Sequence, residues 1–341
     1  MEINKLNRNV ASAVETARKA RTAVRSLSHN TNLTSLNIRF SRRLEDISML
    51  ATLVNLRELE IEDCTLLKDL SPLSSLRNLE KLTIDSCEGL SDISCLEECR
   101  NIRSLRLMHC KNLYDLKVLT RLPRLESLSV CECGTLYSVK QGFVVDESGG
   151  NCSVYDKSSG ASCSIHHIAG LVNLRHLELD GFRTMRNTNI FRDLMLLESL
   201  SLCDFKELSD LSGLSGLTNL SNLSILCNRD LTDVFCLADL PGLKKLSLHC
   251  CIALNDTGNI TGLQDLSLSG LSLFENTAGL SRHRDLRSFS IEDCMRVKDL
   301  DVLAGLEHLT TLRIARCPVK SSKFLLKCPS LESVDTDLCI N

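Results

Sequence analysis

The chain of 341 residues carries a formal net charge of −3 at pH 7, and 43% of its residues are hydrophobic but only 4% aromatic. It is long enough for a large core, which must be mainly aliphatic because there is no tryptophan. Proteins that bind nucleic-acid phosphates concentrate basic residues on one face, so the near-neutral charge argues against that class. No apolar run approaches the ~18 residues that cross a bilayer, so we expect no membrane-spanning segment.

Residues 1–32 form the first predicted element. Leu6, Val10, Val14 and Val24 fall mostly on one helical face and favour an amphipathic helix. We expect this helix to cap the open end of whatever follows. The stretch lacks the apolar segment of a secretory signal, while its Arg, Lys, Ser and Ala content leaves mitochondrial import as an alternative.

From Leu33 onward an internal repeat determines the fold. The phrase L-x-x-L-x-[IL] occurs thirteen times, mostly at steps of 23 residues, and 38 of its 39 anchor positions hold Leu, Ile, Val or Phe. The exception, Thr336, belongs to the last phrase, where an atypical repeat is expected. The phrases begin at Leu33, Leu56, Leu79, Ile102, Leu125, Leu174, Leu197, Leu220, Leu243, Leu263, Leu286, Leu309 and Leu331.

Each repeat changes its apolar period half-way along. The phrase alternates apolar and other residues, which predicts a strand, whereas apolar residues then recur at every third position, as between Leu67 and Leu76. The second period predicts a short 3-10 or α segment. In that segment Ser71 is expected to cap the first amides, and Pro72 suits the first helical position.

One repeat cannot bury its own leucines, so the repeats are expected to stack with parallel strands ~4.8 Å apart. The returning segments need more room than the strands, which bends the stack. The predicted fold is an α/β solenoid over residues 33–341, a horseshoe with a concave parallel sheet and short 3-10 or α segments on the convex side. Each strand reaches the next through a right-handed crossover.

The consensus L-x-x-L-x-I-x-x-C-x-x-L-x-D-L-x-x-L-x-x-L resembles the leucine-rich repeat. It is similar to the short repeats of internalins and of phosphatase-regulating repeat proteins, with cysteine where those families usually have asparagine. The Cys-x-x-Leu-x-Asp wording most resembles the leucine-rich-repeat families of trypanosomatid parasites. The resemblance covers about residues 33–341 and implies a fold rather than a particular partner.

The chain has 18 cysteines, and one slot, eight residues after the start of a phrase, holds a cysteine in seven of the first twelve phrases. Phe205 and Leu271 fill the same slot elsewhere, which a metal ligand position would not accept. We therefore interpret the slot as a packing position whose S–H bonds the turn backbone. The seven are Cys64, Cys87, Cys110, Cys133, Cys251, Cys294 and Cys317.

Stacked inward thiols seldom offer the geometry of a disulfide, so we expect thiols and a reducing compartment. The predicted localisation is cytoplasmic, with the nucleus as an alternative. The remaining cysteines lack the paired Cys-x₂-Cys spacing of a structural zinc site, and no metal or other cofactor is expected.

An aspartate recurs thirteen residues after the start of eight phrases. A row of carboxylates is one pattern of a calcium site, but each aspartate lies just ahead of a returning segment. Aspartate stabilises turns and helix starts there, which is the interpretation we favour. The eight are Asp46, Asp69, Asp92, Asp115, Asp210, Asp233, Asp256 and Asp299.

Side chains between the strand anchors are expected to form the concave face and to bind a protein partner. The early ones are acidic and favour a partner with a basic surface, whereas a lane of serines follows later. The alternative is a solvated polar face. The predicted binding residues are Glu58, Glu60, Glu62, Asp63, Asp85, Arg106, Ser129, His176, Glu178, Ser201, Ser224 and Ser247.

One step between phrases, from Leu125 to Leu174, is 49 residues long. The excess is residues 140–165, in which ten of 26 residues are Gly or Ser. Apolar pieces at Phe143–Val145 and Val154–Tyr155 flank a Gly-Gly pair and predict a loose hairpin. A long insertion of this kind is either functional or disordered.

The chain shows none of the common nucleotide-binding, serine-hydrolase or zinc-protease motifs. Repeats also fill nearly everything after residue 32. We therefore predict a non-catalytic, monomeric scaffold that binds a protein, with neither nucleic acid nor membrane as its partner. The alternative is a regulatory or substrate-recognition subunit of a phosphatase or ubiquitin-ligase complex.

Overall fold

The computed structural model describes residues 30–113, 115–133, 143–146, 153–156, 162–182 and 185–337, with backbone alone at 143–146, 153–156 and 162–166. Nearly all of the helical cap predicted for residues 1–32 lies outside the described residues. The chain forms two compact units, Met1–Gly181 and Phe182–Asn341.

The first unit carries one described strand for each of its six phrases. These strands pair in parallel in chain order. From β1 to β5, each residue pairs with the residue 23 positions further along the chain. The step across the insertion keeps the same register, because Ser127 pairs with His176. The strands are β1 (Ser35–Arg39), β2 (Glu58–Glu62), β3 (Lys81–Asp85), β4 (Ser104–Met108), β5 (Ser127–Cys131) and β9 (His176–Asp180).

The insertion forms a small antiparallel sheet of its own. Strand β6 (Phe143–Asp146) pairs with β7 (Ser153–Asp156), so the predicted hairpin is confirmed. A third strand, β8 (Ser162–Ser164), pairs with β7 and was not predicted. The insertion therefore leaves the register of the repeats unchanged and adds a separate element between β5 and β9.

The second unit carries seven described strands, again parallel and in chain order. Register survives the irregular steps, since Lys245 pairs with Asp265 across the 20-residue step. The strands are β10 (Ser199–Cys203), β11 (Asn222–Leu226), β12 (Lys245–His249), β13 (Asp265–Ser269), β14 (Ser288–Glu292), β15 (Thr311–Ala315) and β16 (Ser333–Thr336).

The described returning segments are 3-10 helices and not α-helices, as expected where apolar side chains recur every three residues. Residues 250–264, all of which are described, connect β12 to β13 without such a segment. The segments are Ser48–Thr52, Ser71–Ser75, Ser94–Glu98, Lys117–Arg121, Ile165–Gly170, Asn189–Phe191, Ser212–Leu214, Phe235–Asp239, Ala278–Arg282, Asp301–Gly305 and Lys323–Lys327.

The predicted cap by Ser71 is wrong, since Leu70 and not Ser71 occupies the cap position of its segment. Asp69 bonds the start of the segment instead, because its Oδ1 accepts the Ser71 N–H at 2.7 Å and its Oδ2 accepts the Ser71 hydroxyl at 3.0 Å. The other seven recurring aspartates accept the amide two residues on at 2.7–3.3 Å. Their predicted role in turns is confirmed.

A left-handed residue ends the strand in each of the first twelve repeats, immediately before the cysteine slot. Its φ is 49–57° at ten non-glycine residues, although few residues other than glycine adopt this conformation. This turn points the N–H of the left-handed residue towards the next repeat. For example, the Phe40 N–H donates to the Glu62 carbonyl at 2.9 Å. The residues are Phe40, Asp63, Ser86, His109, Glu132, Gly181, Asp204, Cys227, Cys250, Gly270, Asp293 and Arg316.

Candidate protein-binding face

The strand face consists of the side chains at the first, third and fifth positions of each repeat strand. Successive side chains in a strand point to opposite sides. Leu59 and Ile61 of β2 are accordingly 2% and 0% exposed, while Glu58, Glu60 and Glu62 remain accessible to solvent. The same alternation in the other repeat strands, apart from β5 and the terminal β16, confirms the predicted register of anchors and polar residues.

The structure brings the predicted acidic residues together on β2 and β3. Glu62 pairs in register with Asp85, and Glu60 with Thr83. Arg39 on β1 lies against this cluster, with its Nη2 2.8 Å from Glu60 Oε1 and its Nε 3.2 Å from Glu62 Oε2. The hydrogen bond to Glu60 raises the pKa of Arg39. Part of the expected negative charge is therefore balanced within the sheet.

The turns beside the cluster supply two further partners. Arg42 Nε lies 2.8 Å from Asp63 Oδ2, and His109 Nδ1 lies 2.8 Å from Asp85 Oδ1. Each partner comes from a neighbouring repeat, 21 or 24 residues away. Sequence reasoning missed these contacts, although the 23-residue repeat itself indicates which side chains are neighbours.

Arg106, Ser129 and Glu178 meet on the adjacent strands β4, β5 and β9. The Ser129 hydroxyl donates to Glu178 Oε2 at 2.7 Å, and Arg106 Nη2 lies 3.8 Å from the same oxygen. Ser129 is only 6% exposed, so it offers a partner little surface and instead positions Glu178. His176 begins β9 and is exposed beside Ser127.

A serine lane runs through the second unit at the middle position of five adjacent strands. Register pairing joins the serines in chain order, and each is partly exposed. Because neighbouring strands lie ~4.8 Å apart, hydroxyls recur at about that interval. The lane consists of Ser201, Ser224, Ser247, Ser267 and Ser290.

The far end of the lane is charged. Arg313 follows Ser290 in register on β15, and its Nε lies 2.6 Å from Glu292 Oε1. Arg313 also forms an ion pair with Asp335 on β16. Within the lane, His249 Nε2 lies 3.1 Å from the Ser267 hydroxyl oxygen. The serine lane therefore has a mixed-charge border rather than a single sign of charge.

The cysteine slot is a packing position, as predicted. Every slot residue described is at most 8% exposed, whether it is cysteine, serine, phenylalanine, asparagine or leucine. Polar slot residues donate to the carbonyl two residues earlier: Cys110 Sγ lies 3.3 Å from the Met108 oxygen, Ser41 Oγ 3.2 Å from the Arg39 oxygen, and Asn228 Nδ2 3.1 Å from the Leu226 oxygen. A shared backbone contact explains why these three residue types interchange.

Burial makes some of the inner thiols poor nucleophiles. It raises the pKa of Cys251 to about 12 and of Cys131 to about 11, where the Ser129 hydroxyl opposes the rise. The fifteen cysteines whose side chains are described form no disulfide. Among those residues no group of three or more His, Cys, Asp and Glu side chains is placed to hold a metal ion. The described part of the chain also contains no helix with the length and apolarity needed to span a membrane.

No protein-family model matches the chain. An internalin, InlF, from Listeria monocytogenes is 21% identical, with a TM-score of 0.66 over 98% of this chain and 94% of the internalin. This chain has the leucine-rich-repeat fold. The leucine-rich-repeat chain is also similar to a TLR13–ssRNA13 complex, at 20% identity and a TM-score of 0.58, covering 89% of this chain and 43% of TLR13.

The leucine-rich-repeat chain is similar to two further proteins. The plant peptide hormone receptor RGFR1, in complex with RGF2, gives a TM-score of 0.51 at 15% identity over 89% of this chain and 51% of the receptor. A "putative adenylate cyclase regulatory protein" of Trypanosoma equiperdum is 28% identical over 150 residues, 42% of this chain. The match covers 24% of that curated protein, and it agrees with the trypanosomatid resemblance of the repeat.

Proposed function

We propose that the leucine-rich-repeat chain is a non-catalytic scaffold that binds a protein partner on its strand face. The observation that carries this is a polar face built on strands whose inward side chains are almost fully buried. Such a face is ordered before binding, which lowers the entropy lost on association. The similar receptor RGFR1 in complex with RGF2 supports a polypeptide ligand for this fold.

The acidic cluster supplies the charge complementarity. Glu58, Glu60, Glu62, Asp63 and Asp85 carry more negative charge than Arg39 and Arg42 balance. The remaining field attracts a partner with a basic surface and mainly raises the association rate.

The serine lane supplies the second contact. Small side chains leave room for the partner's side chains, and hydroxyls both donate and accept hydrogen bonds. Few aromatic side chains are present to act as anchors, so the affinity of the face alone is modest. Outside the acidic cluster, the contacts are Arg106, His176, Glu178, Ser201, Ser224 and Ser247, with Ser129 positioning Glu178.

The second candidate function is regulatory, and the trypanosome match favours it. Here the partner is an enzyme, such as a phosphatase or a ubiquitin ligase, and the chain steers its activity or substrate choice. Purification from cells then recovers an enzymatic activity that the isolated chain lacks. In either case we place the protein in the cytoplasm as a monomer, with its thiols reduced.

The test is a pull-down with the full tagged chain from its own cells. The double variant Glu60→Lys, Glu62→Lys reverses charge on the strand face, and we expect it to lose the main partner. Its control, Glu97→Lys, Glu98→Lys, makes the same charge change on the returning segment Ser94–Glu98. The strand-face variant loses the two ion pairs of Arg39 and the control loses the ion pair of Arg77, so thermal melts of both variants establish that each remains folded. Identical partners for both variants and the parent chain would show that the acidic cluster is not the binding surface.

A further inference from the structure

Two exposed cysteines occupy the left-handed turn position of neighbouring repeats in the second unit. Cys227 follows β11 with φ 57°, and Cys250 follows β12 with φ 53°. Both side chains are exposed, unlike the cysteines of the packing slot. Elsewhere this position holds other residue types, so the two thiols form one isolated pair among the described turns.

Backbone hydrogen bonds fix the distance between the two turns. The Cys227 N–H donates to the carbonyl of His249 at 2.8 Å, and His249 immediately precedes Cys250. Cys250 makes the equivalent bond to Ser269, which precedes Gly270, also at 2.8 Å. The turns therefore follow the strand spacing of ~4.8 Å, within the range of roughly 4.4–6.8 Å that Cα atoms joined by a disulfide span.

The next repeat shows how far a sulfur at this position reaches. A Cβ at position 270 would lie 3.2 Å from Cys250 Sγ and 3.6 Å from Cys250 Cα. In a disulfide each sulfur lies about 3 Å from the Cβ of the other cysteine. Cys227 and Cys250 follow paired strands in the same way as Cys250 and position 270, so the backbone spacing allows the two sulfurs to reach bonding distance when the side chains rotate.

Accessibility separates this pair from the other cysteines one repeat apart. The sulfurs of Cys110 and Cys317 are buried and lie near backbone carbonyls, at 3.3 Å and 3.4 Å respectively. A dissolved oxidant reaches the exposed turn and does not reach these inner positions.

We propose that Cys227 and Cys250 are a redox-sensitive pair that closes to a reversible disulfide when a hydroperoxide oxidises it. One thiolate attacks the peroxide oxygen and the O–O bond breaks. The attacked oxygen stays on the sulfur as a sulfenic acid, and the leaving hydroxide or alkoxide takes up a proton to become water or an alcohol. The second thiolate attacks that sulfur, the S–S bond forms, and hydroxide leaves and is protonated to water. Two electrons pass from the thiols to the peroxide, and a cellular thiol restores the pair by exchange.

The site adds a modification to the chain that does not depend on the proposed binding function. Disulfides in reducing compartments are typically transient and sense oxidants, which fits a pair on the surface. The bond would cross-link the ends of β11 and β12 beside His249, at the border of the strand face.

The test treats the full chain with stoichiometric hydrogen peroxide, blocks remaining thiols, and maps the digest without reduction. Trypsin cuts after Arg229 and Lys245, so the two cysteines fall in separate peptides. We expect a linked peptide pair, lighter by two hydrogens, that dithiothreitol separates. Cys227→Ser and Cys250→Ser should each abolish it. Cys251→Ser is the matched control and should retain it, since serine occupies the same slot at Ser41.

Three results would overturn the proposal that Cys227 and Cys250 close to a reversible disulfide. The first is oxidation that stops at sulfenic or sulfinic acid on these cysteines without a link. The second is a link between two copies of the chain, seen as a dimer on a non-reducing gel. The third is a link that survives Cys250→Ser but disappears in Cys251→Ser. Melting temperatures of the serine variants establish that each remains folded.

Discussion

In the first unit the packing slot holds serine or cysteine from Ser41 to Cys133, and repeats follow at 23 residues apart from the insertion. Exposed ion pairs link successive repeats there, for example Arg57 with Glu80 at 2.7 Å and Lys111 with Glu88 at 2.8 Å. The second unit has steps of 20 and 22 residues and fills the slot with phenylalanine, asparagine and leucine as well as cysteine.

Buried polar atoms mark the same contrast. In the second unit Asn228, Thr257 and His283 are at most 1% exposed, and each has a side-chain atom with no hydrogen-bond partner. A solenoid's stability is close to a sum over repeats and their interfaces, so such sites weaken particular repeats. The comparison teaches that the strand register is kept when the spacing between repeats is irregular, whereas the stability of individual repeats need not be kept.

The largest expected effect tests what the two units share. Leu82 and Leu223 are 0% and 2% exposed at equivalent anchors, one in each unit. Replacing either with aspartate removes about 2 kcal/mol of apolar burial and adds an unpaired buried charge, so each should lose several kcal/mol of unfolding free energy. The control variants Thr83→Asp and Ser224→Asp change the next residue along each strand, and their melting temperatures in thermal melts should barely differ from that of the parent chain. Equal losses in the leucine and control variants would contradict the register.

His283 should give the next largest effect, and only in the second unit. Its ring is 0% exposed with both nitrogens unpartnered, at a position where repeats such as those of Leu53 and Leu306 carry leucine. Burial, with a smaller contribution from Arg282, lowers its pKa to about 4. The folded chain thus resists protonation. Stability is full above about pH 6.5 and declines as pH falls towards 4, by up to about 3 kcal/mol.

His283→Leu should abolish that loss and also stabilise the chain at pH 7, because two buried polar atoms disappear. Urea unfolding at a series of pH values measures both effects. His308→Leu is the control, since it makes the same substitution at an exposed histidine. A profile that His283→Leu does not flatten would show that other groups cause the acid sensitivity.

Much of the fold was predictable because one period fixes both strand and anchors. The cysteine slot was interpretable for the same reason, since Phe205 and Leu271 share it. The residue that caps the returning segment Ser71–Ser75 was not predictable, because Asp69 and Ser71 are both good capping residues two positions apart and only geometry distinguishes them. The left-handed turn was missed because ten of its twelve residues are not glycine.

The surface was less predictable than the core. Arg39 balances Glu60 through side-chain conformations that a sequence does not fix. The Ser129 hydroxyl likewise bonds Glu178, which lies 49 residues away beyond the insertion. His283 is different, because a histidine at an anchor position is visible once the repeats are aligned.

A reciprocal exchange sharpens the comparison at the packing slot. Asn228 and Cys251 occupy the slot in neighbouring repeats, and Asn228 leaves its Oδ1 without a partner. Asn228→Cys retains a donor to the Leu226 carbonyl and removes that buried oxygen, so it should stabilise the chain by about 1–2 kcal/mol. Cys251→Asn should destabilise it by a similar amount. Urea midpoints measure both, and two shifts of the same sign would show that cavity size rather than hydrogen bonding governs the slot.

The smallest expected effect concerns the left-handed turn, which both units share. Phe40 is 60% exposed with φ 54°, a conformation that asparagine adopts more readily than a bulky side chain. Phe40→Asn should therefore raise the unfolding free energy by up to about 1 kcal/mol. Gly270→Ala should lower it by about 1 kcal/mol, because φ is 63° and the new Cβ would lie 3.2 Å from Cys250 Sγ. Differential scanning calorimetry detects both shifts. Opposite signs would establish that the backbone sets the cost of this position in both units, while a loss in Phe40→Asn would mean that the exposed ring contributes packing that outweighs its strain.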